Sequence, residues 1–174
     1  MKELPTLGFI EAVKLASGRI LDFKGRSRRS EFWWWMLVVF VVGFCVSLFI
    51  SNMLVTSLWD IAYMFCGLSA TARHLQDSGK SAVWVYISYA LGCASTLYVS
   101  TSGAIAALMD KMDSAHPNQA AIEKIAMQYA GDFAIMGLLG CIFMVSCLIV
   151  LIMTLLDSKP VVNKFGASPK YVEE

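Results

Sequence analysis

Hydrophobic and polar positions divide this chain into long uncharged blocks joined by short charged ones. Residues 32–59, 81–109 and 133–156 contain no Asp, Glu, Lys or Arg, and between 53 and 72 only Asp60 is charged. A helix needs roughly 20 residues to cross about 30 Å of hydrocarbon, so uncharged apolar runs of this length read as spans. The pattern predicts an all-α integral membrane protein with four transmembrane helices, at about 32–50, 54–72, 82–109 and 133–156. Ser51 and Asn52 offer the first turn, and Gly79 is the flexible point of the polar link after the second span. The third run is longer than one crossing requires and is expected to tilt or to project beyond the lipid.

Outside these runs the periodicity changes. Over 4–23, Phe9, Ala12, Val13, Ala16 and Ile20 recur at helical spacing, with Glu11, Lys14, Arg19 and Asp22 on other faces. This predicts an N-terminal amphipathic helix, either lying on the membrane surface or packed against the protein's own cytosolic loops. The segment "NQAAIEKIAMQYA" predicts a further helix within the polar stretch 110–132, and 157–174 forms a short polar tail. Residues 1–174 thus read as a single membrane domain.

Composition removes one function class and sets an orientation. The chain is 57% hydrophobic with mean hydropathy +0.63 and a formal net charge of +1. Nucleic-acid binding demands a basic excess that is absent here. Twelve of the fourteen Lys and Arg residues fall in the N-terminal segment, the link at 73–80 and the tail; Lys111 and Lys124 are the other two. Basic flanks stay in the cytoplasm, so both termini are expected there, with 110–132 as an external loop. The first thirty residues lack a continuous apolar signal-peptide core, and 32–50 is expected to act as a signal anchor. Five cysteines lie in apolar runs without a C-x-x-C pair and read as small buried apolar residues. No metal site or cofactor is expected, since only His74 and His116 are available and no phosphate-cradling loop or catalytic motif occurs.

Several polar residues need a reason for their positions. In "FKGRSRRSEFWWW", Lys24, Arg26, Arg28 and Arg29 hold the N-terminus inside, and Trp33, Trp34 and Trp35 suit an interfacial belt. Glu31 stands at the lipid edge, where a bare carboxylate is costly, and Arg73 on another helix is a candidate partner. Arg26, Arg29, Glu31, Arg73 and Asp77 are expected to form one cytosolic polar cluster. Asp60 marks a candidate intramembrane site if its helix begins at Met53, and lies near the outer surface if the turn runs through Ser57. Ser88, Gly92, Thr96, Ser100 and Ala104, spaced four apart, read as a close-packing stripe rather than a hydrated pathway. His74 and Asp77, three apart, could face each other on a helical turn, which is the whole of the case for acid–base chemistry.

Three spaced motifs resemble the domain of unknown function 805 family of bacterial inner-membrane proteins. Gly25, Arg26, Arg29, Glu31, Phe32 and Trp33 match a first signature, approximately G-R-x-x-R-x-E-[FY]-W. In "RHLQDSGKSAVW", Arg73, Leu75, Asp77, Gly79, Lys80, Ser81 and Trp84 match a second, with His74 and Gln76 in place of the family's arginine and histidine. Asn163, Lys164, Phe165, Gly166 and Pro169 match a third, with Ser168 departing from it. The resemblance implies a helical fold in the bacterial inner (plasma) membrane with the motifs on the cytosolic side, and it implies no established activity. Asn163 and Gly166 would shape a tight turn, and Phe165 would insert between helices to dock the tail.

The reading that follows is a non-enzymatic membrane protein whose cytosolic cluster binds a partner protein or anionic membrane lipid. The alternatives are a small oligomeric transporter or channel subunit using Asp60, a homo-oligomer by geometry, and, behind it, a membrane enzyme using His74 and Asp77.

Overall fold

The structure is a computed structural model that describes residues 2–112 and 119–172. Among these residues the chain forms seven helices and two two-residue strands: β1 (Lys2–Glu3), α1 (Phe9–Ser17), α2 (Arg29–Ser47), α3 (Met53–Asp77), α4 (Val83–Thr101), α5 (Ala104–Met112), α6 (Gln119–Gln128), α7 (Ala130–Thr154) and β2 (Tyr171–Val172). Helices α2, α3, α4 and α7 are the four long and apolar enough to cross a membrane. Much of their apolar surface faces outward. In the most apolar eighteen-residue stretch of α7, 6% is buried.

Helix ends are where the structure departs most from the pattern. The amphipathic helix, expected over 4–23, is confined to Phe9–Ser17. Its flanks are drawn into other bonds: Leu4 N–H donates to Lys170 O, and the carbonyls of Arg19 and Asp22 accept from Arg73. The helix packs on α2 with Ala12 and Ala16 buried, while Ile10 and, beyond the helix, Leu21 stay exposed. Helix α2 starts at Arg29, so Glu31 lies in its first turn. Asn52 caps α3, its Oδ1 accepting from Val55 N–H at 3.1 Å.

The polar link expected after residue 72 is helical through Asp77. Nothing before Gly79 breaks the helix, and the charges it carries are paired within the protein rather than shed into a loop. The helix ends in a Schellman turn: Gly79 N–H donates to Gln76 O, Lys80 N–H donates to Leu75 O, and Gly79 adopts φ +76. The single third span expected over 82–109 is instead two helices. Gly103, at φ +73, separates α4 from α5, which turns away and packs against α6.

The long helices pack in chain order, α2 on α3, α3 on α4 and α4 on α7, with a lighter contact between α3 and α7. One core lies between α1, α2 and α3 around Phe32, Trp35, Val39 and Ala70; a second joins Leu68, Leu75, Val85 and Val150. Gly92 lets Met64 and Phe143 approach α4, since a Cβ there would stand 3.1 and 3.0 Å from their side chains. That supports packing along the small-residue stripe, where Ser88 and Ala104 are also buried. Cys45, Cys141 and Cys147 are exposed rather than buried. Trp33 and Trp34 face outward as an interfacial belt requires, but Trp35 is buried and its Nε1–H donates to Cys66 O at 2.8 Å. At about 100° per residue, three consecutive indoles cannot share one helix face.

Candidate functional site

The polar motifs meet at one end of the long helices, around the last turn of α3. Arg26 precedes α2 in an extended segment and is 5% exposed. A guanidinium has five N–H donors, and every one is used here. Nε donates to Asp77 Oδ1 at 2.7 Å; Nη1 donates to Val161 O at 3.0 Å and Gly166 O at 3.2 Å. Nη2 donates to Asp77 O at 3.2 Å and to Lys159 O. The other Asp77 oxygen accepts from the Ser158 hydroxyl, and Lys159 N–H donates to Asp77 O at 3.1 Å. Asp77 has no exposed surface. Such a group leaves no donor for a ligand. It is a lock that ties the tail to α3.

The tail brings its own geometry to this lock. Asn163 and Gly166 exchange backbone hydrogen bonds at 3.1 and 2.9 Å, and Asn163 Oδ1 accepts from Phe165 N–H at 2.8 Å. Gly166 adopts φ +121, a conformation L side chains rarely take. Asn163 Nδ2 then donates to Gln76 O at 3.0 Å. The tight turn is therefore present, but Phe165 joins neither of the two hydrophobic cores between the helices. It is half-buried beneath Lys164, whose Nζ stands 5.0 Å from its ring centroid, and main-chain hydrogen bonds dock the tail instead.

Arg73 forms a second, looser group on the same helix end. Its Nη1 donates to Arg19 O at 2.6 Å and to Asp22 O, closing the carbonyls that follow α1. Its Nη2 lies 3.6 Å from Glu31 Oε1, an ion pair too long for a hydrogen bond. His74 is 2% exposed, stacked on Phe32 at 4.4 Å, and its ring nitrogens lie 3.1 Å from Ser27 O and 2.9 Å from Thr154 O. A neutral imidazole can donate to one of these carbonyls, not both. His74 therefore faces two backbone carbonyls while Asp77 faces Arg26 and Ser158, and the two do not pair.

The remaining motif residues stand apart. Arg29 is exposed and its side chain makes no hydrogen bond or ion pair among the described residues, and Lys80 and Ser81 are exposed beyond the Schellman turn. Pro169 is half-buried just before β2. Asp60 lies about two turns into a helix that does begin at Met53, half-buried and without a side-chain hydrogen bond or ion pair among the described residues. His116 lies outside the described residues. No group of three metal-ligating side chains occurs among the described residues.

A family model described as protein of unknown function (DUF805) matches residues 20–167. The chain belongs to that family. The DUF805 stretch contains the whole of the lock, from Arg26 through Asp77 and Ser158 to Gly166, whereas α1, both strands and Pro169 fall outside it. No curated protein and no solved structure matches the chain. Family and apolar helices together point to a multi-pass membrane protein.

Three features of this DUF805 site were beyond sequence reasoning. Ser158 has no motif to mark it, and the acceptor carbonyls of Val161, Lys159 and Thr154 carry no side-chain signal. The ends of the chain are also joined, β1 pairing antiparallel with β2. Lys170 clips this clasp, with Nζ 3.4 Å from Glu3 Oε1 and 3.2 Å from Asp157 Oδ2. The contact with Tyr171 and the two carboxylates raise the Lys170 pKa against partial desolvation. Partial burial pushes the Asp157 carboxyl up, but Ser158 N–H and Lys170 outweigh it and hold it below its ordinary range. Asp22 is held low by Lys24 N–H and then by Arg19.

The geometry also leaves an opening. Helices α2 and α7 are not closely packed, and between them, floored by α3 and α4, is an open cavity of about 350 Å³. Its lining includes Met36, Gly67, Thr71, Tyr89, Cys147 and Leu151 and is almost wholly apolar.

Proposed function

We propose that this DUF805 protein is a multi-pass protein of the bacterial inner membrane that acts without catalysis by holding a membrane lipid in the groove between α2 and α7. The open apolar groove carries this reading. Apolar concavities of several hundred Å³ are where small hydrophobic ligands bind, and a groove opening between spans faces the acyl phase. A helix of about 10 Å diameter occupies roughly 850 Å³ over two turns, so the groove takes an extended chain rather than a whole partner helix. The signature residues then have a supporting role, fixing the ends of the helices that form the groove. The alternative of a transporter or channel subunit rests on Asp60, which does not line the groove.

In this reading both termini are cytoplasmic and 110–132 is outside, as the twelve cytosolic-side Lys and Arg residues favour. Reporter fusions at residue 174 and within 113–118 test the orientation, and opposite sides are expected. Purification in mild detergent followed by native mass spectrometry tests the lipid. About one retained phospholipid per chain is expected, and its loss in Leu151→Trp, which fills the groove. Equal retention in the variant refutes the reading.

A further inference from the structure

We propose that the lipid is an anionic glycerophospholipid whose headgroup is selected by Arg29 while one acyl chain fills the α2–α7 groove; this rests on the groove being a lipid site. A second cleft of about 280 Å³ lies at the cytosolic-motif end of the same seam. It is lined by Arg28, Arg29, Lys170, Glu3 and Asp157, together with uncharged residues. Lys170 is engaged by both carboxylates. Arg28 Nη1 donates to Pro5 O at 2.9 Å, and its charge has no counter-ion among the described residues. The Arg29 side chain has neither a hydrogen bond nor an ion pair among the described residues, although its charge is felt by Asp157. Among the described residues, three cations against two carboxylates leave the cleft at +1, with the spare charge on the α2 side.

Cleft and groove belong to one surface. Arg29 and Trp33 are four residues apart and so lie one above the other on α2, and Trp33 lines the groove. On α7 and just beyond it, Thr154 lines the groove and Asp157 the cleft. The step from one to the other is about 6 Å along the helix axis. An apolar trough ending in an unneutralised arginine matches an amphiphile with a hydrocarbon chain and a net negative head. A zwitterionic headgroup would bring its own ammonium to a cleft already holding three cations. A free anion would leave the trough unused.

Delipidated full-length protein is titrated with phosphatidylglycerol or phosphatidylethanolamine of identical acyl chains and read by native mass spectrometry. Wild type is expected to prefer phosphatidylglycerol by roughly five-fold, the scale of one juxtamembrane arginine at ~1 kcal/mol. Arg29→Gln is expected to bring the preference to near unity while phosphatidylethanolamine binding persists; Lys80→Gln, an exposed cation outside the cleft, keeps it. Equal preference in wild type and Arg29→Gln overturns the headgroup assignment but leaves the groove reading standing. Retained binding of both lipids in Leu151→Trp overturns the groove reading itself. Competition by millimolar inorganic phosphate would identify a free-anion site, and a dimer lost in Leu151→Trp without lipid release would identify a second copy; either result overturns the proposal.

Discussion

Arg26→Ala should release the tail from the helices. The substitution removes all five donors and leaves Asp77, with no exposed surface, facing only the Ser158 hydroxyl. Summing five charge-assisted hydrogen bonds at about 1.5–3 kcal/mol each would overstate the effect, because the freed tail carbonyls regain water. The Asp77 carboxylate, if the tail stays in place, does not. Removing one partner of a buried ion pair costs about 3–5 kcal/mol, so the chain relieves it by opening locally. Amide hydrogen exchange in detergent or nanodiscs reads this directly at Lys159, Asn163 and Gly166, whose N–H groups are bonded within the lock and its turn. Protection there should fall by about 150- to 5,000-fold, while mid-helix amides of α3 change little. Arg26→Lys should fall between, since an ammonium keeps the charge but cannot present the planar fork. Lys170→Ala, at an exposed clasp, should alter the same amides only a few-fold. A change below about five-fold for Arg26→Ala would show that the lock does not hold the tail.

Gly43→Ala should destabilise by about 1–3 kcal/mol, because its Cβ would overlap the Tyr63 ring; Gly137→Ala, in open space, should be neutral in the same detergent unfolding assay. Gly79→Ala should cost about 1–2 kcal/mol through its φ of +76, since the Lys159 side chain can move aside. Asp157 has a lowered folded pKa, so its contribution to the clasp is present above the ordinary value of 3.8 and lost as pH falls through the folded value. Lys170 has a raised one, so its contribution is complete below 10.5 and lost as pH rises beyond it. Protease protection of the tail should therefore be flat between these limits and weaken outside them; a transition near neutrality would refute the assignment. Asp60→Asn should leave lipid retention unchanged by native mass spectrometry, and loss of the lipid would return Asp60 to the site.

The sequence by itself determined the class of this protein. Three uncharged runs and a further one broken only by Asp60, a concentration of Lys and Arg in three segments, and three ordered motifs were each visible as composition or spacing, and these depend on no partner. It also placed Glu31 and Arg73 as candidate partners, because a carboxylate at the lipid edge requires a cation from elsewhere. What spacing could not rank was the arginines: Arg26 and Arg29 match the same signature, yet one is buried with every donor used and the other is exposed and unpaired. That difference is set by carbonyls of Val161, Lys159 and Gly166, more than a hundred residues away, and main-chain acceptors look alike at every position of a sequence. The same reason hides the end of α3. Its charged turn continues through Asp77 with Arg73 held by the segment after α1 and by Glu31, and Asp77 by Arg26 and the tail, and the break at Gly103 is decided by whether a left-handed glycine is used. Only the tertiary structure could also reveal the groove, which is made by two helices that fail to close on each other.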